Sequence, residues 1–262
     1  MAGKSAPAVP TAALFAIPGI PMIRPGDDLA ALIIRALESA GPVPADGDVV
    51  AVAQKAVSKA ENRFVDLATV TPSSRARELA KETDKDPRMV EVILGESRRI
   101  VRHRPGLIVV EHRAGYVMAN GGVDHSNVAE PDGREQVLLL PADCDASAEA
   151  LRARLAAHFR CRLAVVINDS FGRAWRRGTV GVALGAAGLP SLVDMRGMPD
   201  LFGRSLMVTE VGFADEIAAA ASLLMGQAAE GRPVVLLRGL TWSAPAVPAR
   251  ALLRPAEQDL FR

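Results

Sequence analysis

The sequence predicts an α+β fold of mixed sheets with helices, arranged in two subdomains. Three observations predict it. The runs at residues 49–53 and 163–167 have no polar face, so they read as strands covered on both sides. Residues 107–111 and 116–119 are apolar segments separated by Arg113-Ala114-Gly115, the pattern of a hairpin. Strand-like and helix-like stretches follow one another without the steady alternation of a βαβ array.

Along the chain, residues 1–13 read as a loose tail. LFAI at 14–17 reads as a short strand, and PGIP closes it with a turn. Residues 27–40 place Leu29, Leu32, Ile33, Ala36 and Leu37 at helical spacing, with Asp27 or Asp28 available as the cap. After the strand at 49–53, residues 73–81 and 87–96 predict two polar-faced helices. A glycine-containing loop, NGGVDHSN, follows the hairpin, and 137–140 is another apolar run. Residues 146–160 predict a long helix, 178–188 is rich in small residues, 214–225 predicts a helix and VVLLRG a last strand. Residues 14–240 form the expected functional domain, and 241–262, rich in Pro and Ala, the expected peripheral tail. No fixed-period repeat is visible.

Composition narrows the function. The 31 Lys and Arg balance 30 Asp and Glu, leaving a net charge of +1. That balance argues against a polyanion-binding protein while leaving room for a local basic pocket. Two cysteines, Cys144 and Cys161, make neither a disulfide framework nor a zinc site, and fit a reducing compartment. The N-terminus lacks the apolar run of a signal peptide, and no stretch is long enough to span a bilayer. The expected location is cytoplasmic.

Four segments could carry chemistry. In Asn120-Gly121-Gly122-Val123-Asp124-His125-Ser126-Asn127, glycines let the backbone approach a ligand and Asp124 offers hard oxygen. The same residues would also serve a simple turn. Asn168-Asp169-Ser170 ends the strand at 163–167 and is followed by Arg173, Arg176 and Arg177. A carboxylate and a hydroxyl suit Mg²⁺ or Mn²⁺, and clustered arginines suit phosphate or carboxylate. A helix cap followed by a solvated basic turn is the alternative. The stretch 225–233 could wrap a nucleotide or merely end a helix. Gln54 and Lys55, with Lys59, follow the strand at 49–53 where a phosphate could sit, although most lysines are simply solvated. No GxxxxGK[ST] loop, GxGxxG after a strand or GxSxG elbow is present, and the four histidines show no metal-ligand spacing.

Taken together, PGIPMIRPGDDLA, DGDVVAVAQKAVSKAENR, NGGVDHSNV, LLLPADCDASAEALR, VVINDSFGRAWRRGTVGVALGAAGL, DLFGRSLMVTEVGFADEIAAAASLLMGQ and PVVLLRGL resemble, in order, the coenzyme F420:glutamate ligases. The resemblance implies a homodimer that uses GTP, two divalent cations and potassium to add L-glutamate to the carboxylate of coenzyme F420-0, then extends the product by γ-linkage. It implies that Asp124 and Asp169 hold one metal, and that Ser170 and Gln227 contribute to the second. Pro18, Gly19, Ile20 and Pro21, with Gln54, Lys55, Lys59 and Asn127, would line the nucleotide site. Met225, Gly226, Gln227, Ala228, Ala229, Glu230, Gly231 and Arg232 would complete it. The chain reads Asn168-Asp169-Ser170 where many relatives read Thr-Asp-Thr, and Gln227 where some carry an acid. A ligase acting on another carboxylate metabolite, or a non-catalytic nucleotide-binding protein, are the competing functions.

Overall fold

A computed structural model describes residues 9–128 and 133–260; part of the expected N-terminal tail, residues 1–8, lies outside them. In chain order the elements are β1 (Ala13–Ala16), α1 (Leu29–Ala40), β2 (Val49–Ala53), α2 (Gln54–Ala60), β3 (Phe64–Asp66), α3 (Ser74–Thr83), α4 (Pro87–Gly95), β4 (Ser97–Arg104), β5 (Leu107–His112) and β6 (Val117–Ala119). Then come β7 (Gln136–Leu138), α5 (Cys144–Phe159), β8 (Ala164–Arg173), β9 (Arg176–Ala187), β10 (Val193–Asp194), β11 (Glu210–Val211), α6 (Phe213–Met225) and β12 (Val234–Arg238). The fold is mixed α+β.

The main sheet has the order β1-β12-β2-β8-β9, with β2 and β8 parallel and the other neighbours antiparallel. Alternate residues of β2 enter different cores, as an all-apolar strand requires. Val50 and Val52 pack with α1 and α5, whereas Val49 and Ala51 pack with α6. The small residues of 178–188 are β9 itself. A side chain at Gly185 would run into the carbonyl of Cys144, and one at Gly181 into that of Ala218. Glycine at these two positions lets α5 and α6 lie directly on the strand.

A separate cluster of buried residues joins α3 and α4 to β4, β5 and β7, with Leu79, Val90, Ile93, Ile108, Val110 and Val137 at its centre, while Met118 of β6 packs in the core beside α1 and α5. Helix caps agree with the sequence: Asp28 accepts from the Ala31 amide at 3.0 Å, and Ser73 caps α3.

Four features differ from the sequence reading. Gln54, Lys55 and Lys59, read only as following the strand at 49–53, stand on the helix α2. β4, SRRIVRHR, shows no alternation to reveal it, and β3 is only three residues long. The strand read as ending at Ile167 continues to Arg173, so the basic segment is the turn of a β8–β9 hairpin, not a helix start. The expected peripheral tail is stitched to the body as well. Ala249 is buried, its amide and that of Arg250 bond the buried Asp145 carboxylate, Val247 pairs beside Leu189, and Trp242 packs on Phe213. No helix among the described residues is long and apolar enough to cross a membrane.

Candidate active site

The site forms where β2 ends and α2 begins, beside the middle of β8 and the start of β12. A cavity of about 380 Å³ opens there. Ile20 and Pro21 close one side, Gln54, Lys55 and Lys59 line another from α2, and Asp169 and Ser170 come from β8. Met225, Gly226, Gln227, Ala228, Ala229, Gly231 and Arg232 wrap the remainder, and Asn127 reaches in from the loop beyond β6. The C-terminal end of a buried parallel strand pair is where an α/β sheet ordinarily leaves room for a ligand, because the connecting chain turns away.

Asp124 arrives from the other core. Its backbone pairs with Leu138 of β7, and the turn of residues 120–122 delivers it, with Gly121 and Gly122 both at positive φ. A side chain at Gly122 would collide with Leu140, so glycine is required for the loop to lie this close. Lys55 links the two cores: its ammonium lies 2.7 Å from the Asp124 carboxylate and 2.7 Å from the Ser126 hydroxyl. Lys59 donates to the Asn127 carbonyl at 2.6 Å, and the Asn127 amide donates to the Ala228 carbonyl at 3.3 Å. The loops at 124–127 and 225–232 are thereby tied across the cavity mouth.

The two carboxylates sit in different electrostatic states. Burial works to raise the Asp124 carboxyl, but the Lys55 ammonium and the Ser126 amide outweigh it and hold it below its ordinary value. Burial dominates at Asp169 and pushes it up to about 6; the negative charge of Asp124 adds to that, while the Ser170 amide and Lys55 oppose it. Asp124 and Asp169 therefore feel each other, with Lys55 acting on both. Burial and the charge of Lys55 hold Lys59 below the usual lysine range.

Several expected residues stand elsewhere. Pro18 and Gly19 lie behind Ile20 and do not line the cavity. Glu230 also stays outside it, and its carboxylate accepts the Ala228 amide at 2.9 Å, so it shapes the loop from behind. Arg173, Arg176 and Arg177 are exposed and line no part of the cavity. Arg173 pairs with Arg176 across the hairpin turn and donates to the Gly178 carbonyl at 3.0 Å. With about 3.3 Å per strand residue, this end stands well beyond Asp169. The structure also adds Met22 and Ile23, which sequence reasoning passed over, and brings in Asn168, which it named beside Asp169 without giving it a role. Asn168 is buried, with its amide nitrogen 3.2 Å from the Met225 sulfur. Its place directly before Asp169 was the available signal.

Among the described residues, no group of three or more His, Cys, Asp or Glu side chains is placed to hold a metal. Mg²⁺ commonly needs only one or two carboxylates, with substrate phosphates and water completing its shell. Asp124, Asp169 and the Ser170 hydroxyl offer oxygen alone, and the mutual repulsion of the carboxylates is what a cation relieves. The donor set fits a divalent ion that arrives with a phosphorylated substrate.

The sequence profile of the family described as F420-0:Gamma-glutamyl ligase matches residues 19–239. The chain is 47% identical over 251 residues to the coenzyme F420:L-glutamate ligase of Methanothermobacter thermautotrophicus, covering 95% of this chain and 98% of that protein. It is 46% identical over 259 residues to the enzyme of the same name from Methanopyrus kandleri, covering 97% and 99%. Identity to the Methanocaldococcus jannaschii enzyme is 43% over 217 residues, covering 83% and 85%.

Proposed function

Because the chain belongs to the F420-0:gamma-glutamyl ligase family, we propose that it is a GTP-dependent ligase. It would join the amine of L-glutamate to the carboxylate of coenzyme F420-0, and then add further glutamates by γ-linkage. The observation that carries this reading is Lys55: it lines the cavity with Asp169, pairs at 2.7 Å with Asp124, which stands outside the lining, and its charge acts on both carboxylates.

In this reading the acceptor carboxylate oxygen attacks the γ-phosphorus of GTP, and the bond to the GDP oxygen breaks. The product is an acyl phosphate, whose leaving group is phosphate rather than oxide. The glutamate amine then attacks the acyl carbon, loses a proton and expels phosphate. Lys55 and Lys59 project from α2 where they can hold phosphate oxygens; burial and the charge of Lys55 hold Lys59 below the usual lysine range, and an anion between the two lysines would relieve their repulsion. Within α2 the Gln54 amide donates to the Ser58 hydroxyl at 2.7 Å, and it also reaches the Leu139 carbonyl at 3.5 Å, outside the helix. The loop of residues 225–232 would fold over the nucleotide. Asp124, Asp169 and Ser170 would hold Mg²⁺ or Mn²⁺, with Gln227 contributing to a second ion and potassium as a further one. Such ions supply the positive charge that neutralises phosphate oxygens during transfer.

The reading also takes the α3–α4–β4–β7 unit as a second subdomain, the protein as a cytoplasmic enzyme, and the assembly as a homodimer. The homodimer is supported by the hydrogen-bonded arm of residues 195–209, which exposes Leu201 and Phe202, 99% and 86% accessible, together with Met207 and Val208. The arm's Arg196 is already paired with Asp194 at 2.6 Å, so the partner it suits is apolar rather than charged.

Mass spectrometry of F420-0 incubated with the protein, GTP, Mn²⁺ and glutamate tests the reaction. Stepwise gain of glutamyl units with equimolar phosphate release is the expected result. Absence of glutamylated product with every triphosphate tried would refute the ligase reading.

A further inference from the structure

The sheet β4–β5–β6 carries a row of arginines on its outer face that the site does not use. Residues paired across neighbouring strands project to the same face. Arg99 lies opposite Glu111, Arg102 opposite Val109 and Arg104 opposite Leu107. On the next strand, Val109 faces Ala119 and Glu111 faces Val117. Ile108 and Val110 alternate with these positions and are buried in the core beneath, so the arginines stand on the solvent side.

All three arginines are exposed. Arg99 is tied to Glu111 at 2.8 Å. Among the described residues the Arg104 side chain bonds only the Pro105 carbonyl, and the Arg102 side chain makes no hydrogen bond or ion pair. Beside the row runs a partly exposed apolar strip of Leu107, Val109 and Val117. β4 reads SRRIVRHR, with four arginines and no acid in a chain whose net charge is only +1. A basic edge strand also discourages edge-to-edge association, and two register shifts in β4 serve the same end. That role requires neither the apolar strip nor the position of this face. β6 ends at Ala119, and the turn that follows delivers Asp124 to Lys55, which lines the cavity.

We infer that this outer face binds the oligo-γ-glutamyl tail of the coenzyme as it lengthens, an inference that rests on the ligase reading. Each γ-linked glutamate leaves one free α-carboxylate and an aliphatic arm. Guanidinium groups match the first and the apolar strip matches the second. Same-face positions recur about every 6.6–6.8 Å along a strand, which gives a linear polyanion a ladder of partners. The reacting end occupies the cavity, and the older part of the tail runs outward across β6 toward β4.

The test compares acceptors carrying no, one and three glutamyl units, using full-length wild-type protein and the Arg102→Glu/Arg104→Glu double variant. Unchanged circular dichroism and thermal midpoint establish that the variant is folded. The expected result is kcat/KM within about twofold of wild type for the tail-less acceptor. For the three-unit acceptor a loss of about tenfold is expected, carried by KM, because each exposed charge contact is worth only a few tenths to one kcal/mol. The variant's product distribution should also shift to short tails. Equal losses for all three acceptors, or no loss, would overturn the inference. If wild-type protein ligates nothing, the ligase reading fails. Calorimetry with free tetra-γ-glutamate then tests the surface by itself. Binding by wild type that the variant loses supports it; no binding, or equal binding of single-stranded DNA, overturns the assignment.

Discussion

Asp124 and Asp169 come to Lys55 from regions built in different ways, Asp169 in the cavity lining and Asp124 just outside it. Asp124 rides on a glycine turn above the smaller core, with a side chain 38% exposed and a lysine at 2.7 Å. Asp169 sits on a strand of the main sheet, where burial lifts its carboxyl to about 6 and the ammonium of Lys55 only partly offsets it. One carboxylate is satisfied in the free protein and the other waits for a positive charge. Identical side chains thus play unequal parts because their surroundings differ.

The largest expected effect concerns the unsatisfied member. Asp169→Asn should lower ligation by about 10³-fold or more, since a charge at a metal–phosphate site is worth several kcal/mol in the transition state. Steady-state turnover with GTP and glutamate checks it, and a normal rate would remove Asp169 from the site. Asp124→Asn should cost less, about 10²-fold, because Lys55 loses its anchor but remains beside the phosphates. If Asp124→Asn proved the more damaging, the assignment of roles would reverse.

Stability should separate the pair with opposite signs. A carboxyl raised above its unfolded value binds a proton more tightly in the native state. Its contribution is therefore favourable at low pH and is lost as pH rises from about 4 through about 6. Asp169→Asn should stabilise metal-free protein at pH 7 by on the order of 1–2 kcal/mol. Asp124 is held low, so its contribution is present above its unfolded value and lost as pH falls through its folded one. Asp124→Asn should destabilise the metal-free protein at pH 7 by a few tenths to about 1 kcal/mol, since the pair is partly exposed. Thermal melts of the two variants, with chelator present, would expose a sign error in either. For the same reason Mn²⁺ affinity should weaken as pH drops through about 6, with a proton released on binding.

The smallest effect belongs to the far end of β8. Alanine at Arg173, Arg176 and Arg177 together should change turnover at dilute protein by less than about threefold, because the hairpin turn carries them away from the cavity. A loss comparable to that of Asp124→Asn would mean that these arginines reach a reacting phosphate, whether in the same chain or in a second copy.

Much of this was legible in the sequence. The strands VVAVA and LAVVI announce burial on both faces because nothing in them is polar. The cap at Asp28 and the helical spacing of residues 27–40 are local properties that neighbours need not supply. The ordered segments from PGIP to VVLLRG mark the family, and with it Asp124, Asp169 and the loop after Met225. β4 escaped notice because arginines interrupt any alternation, and α2 because a seven-residue helix holds too few turns to display a period.

Sequence by itself determined that the strands at 49–53 and 163–167 are buried on both faces and that a helix runs through residues 27–40, since each follows from side-chain chemistry at short range. Only the tertiary structure decided that Asp124 and Asp169 share Lys55, that the three arginines after Asp169 point away on a hairpin, and that the chain beyond Thr241 is held by Asp145. Those outcomes depend on how two separate cores meet and on where β8 stops. Both are settled by packing between residues far apart in the chain, which no local pattern encodes.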